Sequence, residues 1–223
     1  MQLDPTGEFI AHISRACDID DKALLEIGCG SGRITRDLAA RARTVVAIDP
    51  NERALGRARA AVTAANVSFA HGAAEAVELP RASFDAAVFS LSLHHIPRES
   101  MGRSLARADE CLRADGRIVV IEPGDHGTLI EAEERFGVGD GDERAAKAWA
   151  QRALEGLAGW TVASTHAFRT LFLFDGPEDF SEHLPPLPGR PRDPGLIPFL
   201  ERYRDGDRVV LWADRLMKVL ARG

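Results

Sequence analysis

The sequence is short of nearly everything that would brace it from outside its own core. It has three cysteines in 223 residues, Cys17, Cys29 and Cys111, an odd number placed far apart. That excludes a disulfide framework and a C-x-x-C metal site, and no metal is expected. No apolar run approaches the length of a membrane span, and the opening residues MQLDP carry neither the basic start nor the apolar centre of a secretory signal. A cytoplasmic chain without a membrane partner is therefore expected. An excess of positive charge is also missing: 28 Lys and Arg stand against 34 Asp and Glu, a net charge of −6. The one basic cluster, Arg190, Arg192, Arg202, Arg204 and Arg208, is interleaved with Glu201, Asp205 and Asp207, so it reads as a solvated surface and no nucleic acid is expected as a partner.

What is present is a core of ordinary size, with 45% hydrophobic residues, and one loop of unusual composition. At residues 24–32 the apolar run Leu24-Leu25-Glu26-Ile27 breaks into Gly28-Cys29-Gly30-Ser31-Gly32 and then into a helical pattern. Strand, tight turn and helix start are written in nine residues. Side chains at Gly28, Gly30 or Gly32 would keep a ligand from lying against the backbone, so the loop marks a nucleotide-like cofactor site. A dinucleotide fingerprint needs G-x-G-x-x-G, and counted from Gly28 its third glycine position is Arg33. The Tyr-x-x-x-Lys pair of one oxidoreductase class is missing as well, because the only tyrosine, Tyr203, is followed four positions later by Asp207. A second strand, RTVVAID, ends in Asp49, 21 residues beyond Gly28, where a carboxylate can accept from two ribose hydroxyls.

From residue 24 onward strand and helix signals alternate, the pattern of a parallel sheet covered on both faces. Strands are expected near 24–27, 44–48, 67–70, 86–91 and 117–122, with a helix over 98–112 whose Met101, Leu105, Ala108 and Leu112 share one face. Phe9, Ile10 and Ile13 suggest an N-terminal amphipathic helix. Residues 128–158 look helical with a glycine break at 137–141, and long strands are expected over 160–174 and 207–220. With no convincing crossover helix between them, these two form an antiparallel pair at one sheet edge. The Pro-rich stretch 185–195 is a stiff surface connection or a lid over a substrate pocket. The expected architecture is one Rossmann-like doubly wound α/β domain over 1–223: five parallel strands plus the antiparallel edge pair, with helices on both faces. Residues 1–19 form the N-terminal helix, 20–123 the cofactor-binding core, and 124–223 the substrate side.

The acidic residue followed by G-x-G-x-G at 26–32 resembles the first motif of class I S-adenosylmethionine-dependent methyltransferases. Three more segments extend the likeness over 20–123. EAVELPRASFD at 75–85, FSLSLHHI at 89–96 and CLRADGRIVVIEP at 111–123 resemble the type 11 branch that includes quinone-biosynthesis methyltransferases. The resemblance implies an enzyme that moves a methyl group from S-adenosylmethionine to an O, N or C nucleophile of a small-molecule acceptor, leaving S-adenosylhomocysteine. It implies that Gly28, Cys29, Gly30 and Gly32 line the methionine and ribose end, that Glu26 orients the amino group, and that Asp49 holds the ribose hydroxyls. Pro50 and Asn51 would flank the adenine, and Ser90 and Leu91 would lie where the fourth strand passes the cofactor. Relatives of this branch often carry Gly-Asp-Ala after the third strand; this chain reads Gly72-Ala73-Ala74-Glu75, leaving adenine to a backbone contact at Ala74 or to Glu75. The alternatives are a non-catalytic S-adenosylmethionine-binding module and an NAD-dependent oxidoreductase.

Methyl transfer to a carbon already activated by positive sulfur asks mainly for alignment, and for a general base only when the nucleophile arrives protonated. In a doubly wound sheet the acceptor lies beyond the carboxyl ends of the strands, which makes His94, His95 and His126 the candidate catalytic residues.

Overall fold

In the computed structural model, which describes residues 1–223, the elements follow in this order: β1 (Gln2–Leu3), α1 (Glu8–Ala16), β2 (Ala23–Ile27), α2 (Arg33–Ala39), β3 (Thr44–Asp49), α3 (Glu52–Ala61), β4 (Val67–His71), β5 (Phe84–Ser90), a 3-10 turn (Leu93–His95), α4 (Arg98–Cys111), β6 (Leu112–Pro123), α5 (Thr128–Phe136), α6 (Arg144–Glu155), β7 (Trp160–Phe174), α7 (Pro177–His183), α8 (Leu196–Glu201), β8 (Arg204–Asp205) and β9 (Arg208–Arg222). No helix is long and apolar enough to cross a membrane. The chain divides into two compact units. One comprises Met1–Phe9, Pro123–Ala145 and Ala167–Arg215; the other comprises Ile10–Glu122, Ala146–His166 and Leu216–Gly223.

Parallel ladders join β2 to β3, β2 to β5, β3 to β4 and β5 to β6. All five residues of β2 are buried, because a parallel strand between two neighbours has no face to give to water. Alternation then sorts its side chains. Leu25 and Ile27 join Ala87, Phe89, Ile118 and Val120 in one apolar cluster, to which α4 contributes Met101, Leu105 and Ala108 and α6 contributes Ala150 and Leu154. The opposite face holds Leu24, Val45, Ala47 and Val88, equally buried.

The expected open, doubly wound sheet is not what forms. The strand order is β1-β7-β9-β6-β5-β2-β3-β4, with β8 paired to β9, and the sheet curls into a near-closed half-barrel that wraps through 239°. Two features account for the curl. Strands of 12 to 15 residues, β6, β7 and β9, accumulate the right-handed twist over their whole length. A bulge adds to it: between Phe84 and Ala86 the partner on β6 jumps from Leu112 to Arg117. The expected edge pair is corrected with it. β9 lies inside the sheet between β6 and β7, and the short β1 adds antiparallel to β7 at Phe172 and Leu173.

The core of the unit formed by Met1–Phe9, Pro123–Ala145 and Ala167–Arg215 is aromatic. Phe136, Phe172, Phe174, Phe180 and Phe199 gather with Leu129, Leu196, Leu211 and Val209, and Phe174–Phe180 and Phe136–Phe199 meet edge to face at 5.0 and 5.2 Å. Within it Arg215 is buried, donating from Nε to Thr170 Oγ1 at 3.0 Å and lying 5.3 Å from the Phe172 ring. The Pro-rich stretch is pinned to the glycine turn that follows α5. Val138 bridges Pro186, the Gly139 N–H donates to the Pro185 carbonyl, and the Leu187 N–H donates to the Gly137 carbonyl.

Candidate cofactor site

The carboxyl ends of β2, β3, β4 and β5 meet around a cavity of about 590 Å³ that lies wholly within the unit of residues 10–122. Its wall begins where β2 stops. The Gly28 and Cys29 N–H groups both donate to the Ile48 carbonyl, at 2.9 and 3.0 Å, and the Gly32 N–H turns back to the Cys29 carbonyl. Gly28, Gly30 and Gly32 all have positive φ, +76°, +55° and +84°, where an L side chain is strained. Their surroundings differ. A Cβ at Gly28 would meet the Ser92 Cβ at 2.4 Å, and one at Gly32 would press on Ala58 and Val62 at 3.0 and 3.1 Å. A Cβ at Gly30 would meet nothing within 4 Å. Only Gly30 keeps main chain bare toward open space.

Asp49 closes the loop from the end of β3. Its Oδ2 accepts the Gly30 N–H and its Oδ1 the Asn51 N–H, both at 2.8 Å, and the carboxylate is buried to 8% exposure in the cavity wall. Each oxygen keeps a further lone pair. Asn51 caps α3, its side chain accepting from the Arg53 and Ala54 N–H groups. Glu75 faces the same cavity while its carboxylate is tied to α4. Burial pushes its pKa up, but hydrogen bonds from its own backbone N–H and from the Ser100 and Ser104 hydroxyls, with the Arg103 charge, outweigh that and hold it below the usual range.

Of the residues expected from sequence, Gly28, Gly30, Asp49, Pro50, Asn51, Ala74, Glu75, Leu91 and His95 line the cavity. Glu26, Cys29, Gly32, Ser90 and His94 do not, although all belong to the same unit. Glu26 is buried at 1% exposure behind the loop with Oε2 lacking a hydrogen-bond partner. Burial pushes its pKa up to about 8; the Thr35 hydroxyl and the Arg33 charge pull the other way and are outweighed. Burial likewise pushes up the Cys29 thiol, with Glu26 and Asp49 adding to the effect. The inert, protonated thiol makes Cys29 a small filling residue. His94 is buried, and its Nδ1 pairs with Glu122 Oε2 at 2.7 Å; His95 packs against it at a tilt of 43°, 4.1 Å between ring centroids, and is exposed in the wall. His126 belongs to the other unit, where its carbonyl accepts the Asp214 N–H.

Sequence reasoning missed Ser92, Ile96 and Pro97, which follow β5 into the wall. Ser92 donates its hydroxyl proton to the Ile27 carbonyl at 2.5 Å and fills the space a side chain at Gly28 would need. Just before it Leu91 takes φ +54°, a strained conformation for a non-glycine residue, held by its N–H to the Ile121 carbonyl.

Comparison with known proteins agrees with this geometry. Residues 24–116 match the family model described as a methyltransferase domain. An uncharacterized methyltransferase of Mycobacterium tuberculosis is 33% identical over 100 residues, 45% of this chain and 50% of that one. The chain spans about half the length of the curated relatives it matches. Among solved structures, an S-adenosylmethionine-dependent methyltransferase from Mesorhizobium loti superposes with a TM-score of 0.53 at 19% identity, covering 95% of this chain and 98% of that one. The N-methyltransferase NodS from Bradyrhizobium japonicum, in complex with S-adenosyl-L-homocysteine, gives 0.59 at 15% identity, covering 96% and 86%. The fold is that of the class I S-adenosylmethionine-dependent methyltransferases.

Proposed function

We propose that this chain is an S-adenosylmethionine-dependent methyltransferase acting on a small-molecule acceptor. The observation that carries the reading is the pairing of bare main chain at Gly30 with the buried Asp49 carboxylate, hydrogen-bonded to each other in the wall of an open cavity of nucleoside size. The residues fit the cofactor: Asp49 Oδ1 and Oδ2 have lone pairs left for two ribose hydroxyls, and Pro50, Asn51 and Ala74 supply a mainly apolar wall for a base. When bound, the cofactor supplies a methyl carbon activated by a neighbouring positive sulfur. The chain's part is to hold the reactants in line and keep water out, with Ile27, Ile48, Leu91 and Ile96 forming the apolar surround. His95 is the histidine in the wall, and we assign it the proton of an acceptor that arrives protonated, taken at a ring nitrogen. His94 is committed at Nδ1 to Glu122. Glu26 serves behind the loop.

Acceptor choice is assigned to α1 and to residues 124–205, outside the matched segment. The segments at 75–85, 89–96 and 111–123 support placement in the type 11 branch with the quinone-biosynthesis methyltransferases. Free cysteines at all three positions support a reducing compartment, the cytoplasm.

Calorimetric titration tests the reading. S-adenosylhomocysteine and S-adenosylmethionine should bind and NAD should not; the absence of heat with the first two at millimolar concentration overturns the proposal. Asp49→Ala should weaken binding by about 1.5–3 kcal/mol for each charge-assisted hydrogen bond lost. Unchanged affinity in a folded variant removes Asp49 from its role.

A further inference from the structure

The wall segment Asp49-Pro50-Asn51 is anchored on both sides of Pro50 by the Asp49 carboxylate and by the Asn51 cap. Pro50 itself has no N–H to donate, so its main chain can be fixed only through its carbonyl. That carbonyl is engaged by His71 Nε2 at 3.0 Å. A carbonyl can only accept, so Nε2 carries the proton and the tautomer is set. The other ring nitrogen, Nδ1, faces Glu52 Oε2 at 3.8 Å, while Glu52 Oε1 takes Arg59 Nη1 at 2.7 Å. His71 is the last residue of β4 and stands directly opposite Asp49 in the parallel ladder; the next N–H, from Gly72, donates to the Asp49 carbonyl at 3.2 Å. Its ring is 54% exposed, which leaves little apolar burial for it to contribute.

We infer that His71 is a positioning residue of the cofactor site: its Nε2–H latches the Pro50 carbonyl and so fixes the turn that presents Asp49, Pro50 and Asn51 to the cavity. Nothing in the fold requires a donor here, because β4 already ends at this residue and α3 is capped by Asn51. Without the latch the turn is free at Pro50, and the cofactor must order it on binding. The inference rests on the methyltransferase reading, since it concerns affinity for that cofactor.

The test compares S-adenosylhomocysteine binding by calorimetry, and melting temperature, for the wild-type chain and for His71→Gln, His71→Asn and His71→Ala. A glutamine amide nitrogen stands as far from Cβ as imidazole Nε2; an asparagine amide nitrogen corresponds to Nδ1. Asn and Ala should weaken binding about fivefold, equivalent to about 1 kcal/mol at 1.4 kcal/mol per decade. Gln should stay within about twofold of wild type, an effect under 0.5 kcal/mol. All three should melt within about 2 °C of wild type, as expected for an exposed position. Long-range 15N–1H spectra of the free chain should show His71 protonated at Nε2. Equal affinity in all four proteins overturns the latch, as does equal loss in Gln, Asn and Ala, or a loss that follows a fall in melting temperature. A wild-type chain that binds no S-adenosylhomocysteine overturns the cofactor reading itself; binding with a flat variant series overturns the latch alone.

Discussion

Gly28, Gly30 and Gly32 all take a positive φ but have three different surroundings, and substitutions should separate them. Gly28→Ala combines a left-handed penalty with a 2.4 Å collision against Ser92, a residue locked to the Ile27 carbonyl. It should lose about 2–5 kcal/mol of stability by chemical denaturation. Gly30→Ala meets no atom, so only the conformational penalty of about 1–2 kcal/mol applies. Gly30 lines the cavity, and the folded variant should lose S-adenosylhomocysteine binding. A Gly30→Ala protein that binds like wild type would mean the cofactor does not approach this loop. Gly28, Gly30 and Asp49, which line the cavity, were legible in the sequence because a spacing of small residues around one carboxylate depends on local geometry; Gly32, expected with them, packs instead on Ala58 and Val62. Ser92 was not, since what makes it part of the wall is its approach to a strand 65 residues away in sequence.

Among the elements, the last strand is fastened to α4 by a single side chain. Arg222 donates to Asp109 Oδ1 and to the Asp109, Arg113 and Ala114 carbonyls, and its guanidinium lies 4.8 Å from the Trp160 ring. The carbonyls are those of the α4 C-terminus and the bulged start of β6, where the helix leaves acceptors unpaired. Arg222→Met keeps most of the stem and removes the donors. It should cost about 1–3 kcal/mol in urea unfolding, discounted for a side chain 30% exposed; a change below about 0.5 kcal/mol, the ordinary surface range, refutes the clamp. Long periodic elements were readable: the strand expected over 160–174 forms as Trp160–Phe174, and the glycine break expected inside 128–158 separates α5 from α6. Short ones were not. α7 and α8 have seven and six residues, too few for a helical period to show, and α8 carries Pro198 inside it. β1 has two residues, paired only because β7 offers them an open edge.

Over the whole molecule, stability should fall as pH rises across neutrality. Glu26 in one unit and Glu133 in the other both have carboxyls pushed up to about 8, in each case chiefly by burial; Asp140 and Glu143 add to the effect at Glu133, and Arg215 opposes it. A carboxyl whose folded pKa lies above its unfolded value near 4.5 is favoured in the fold while protonated in both states. Its contribution is fully present below about 4.5 and is lost as pH rises to about 8, where the folded state ionises too, at about 1.4 kcal/mol per pH unit. Paired carboxylates such as Asp85 and Asp179, held low against the opposing effect of burial by hydrogen bonds and nearby positive charge, act oppositely and give way only in acid. The melting temperature should therefore decline between pH 5 and pH 8, and Glu26→Gln should flatten that decline. An identical slope in the variant would mean that Glu26 is ionised in the fold.

The glycine loop, the carboxylate beside it and the rhythm of strands and helices around them could be read from the chain alone, because each is set by residues close together in it. The rest came from long-range packing. Twist accumulated along three long strands and one bulge, which no alternation of side chains records, turned the expected open sheet into a curled one and placed β9 inside it. The same long-range pairing chose which of the adjacent His94 and His95 would face the cavity, and gave a proline carbonyl at residue 50 its histidine from the next strand.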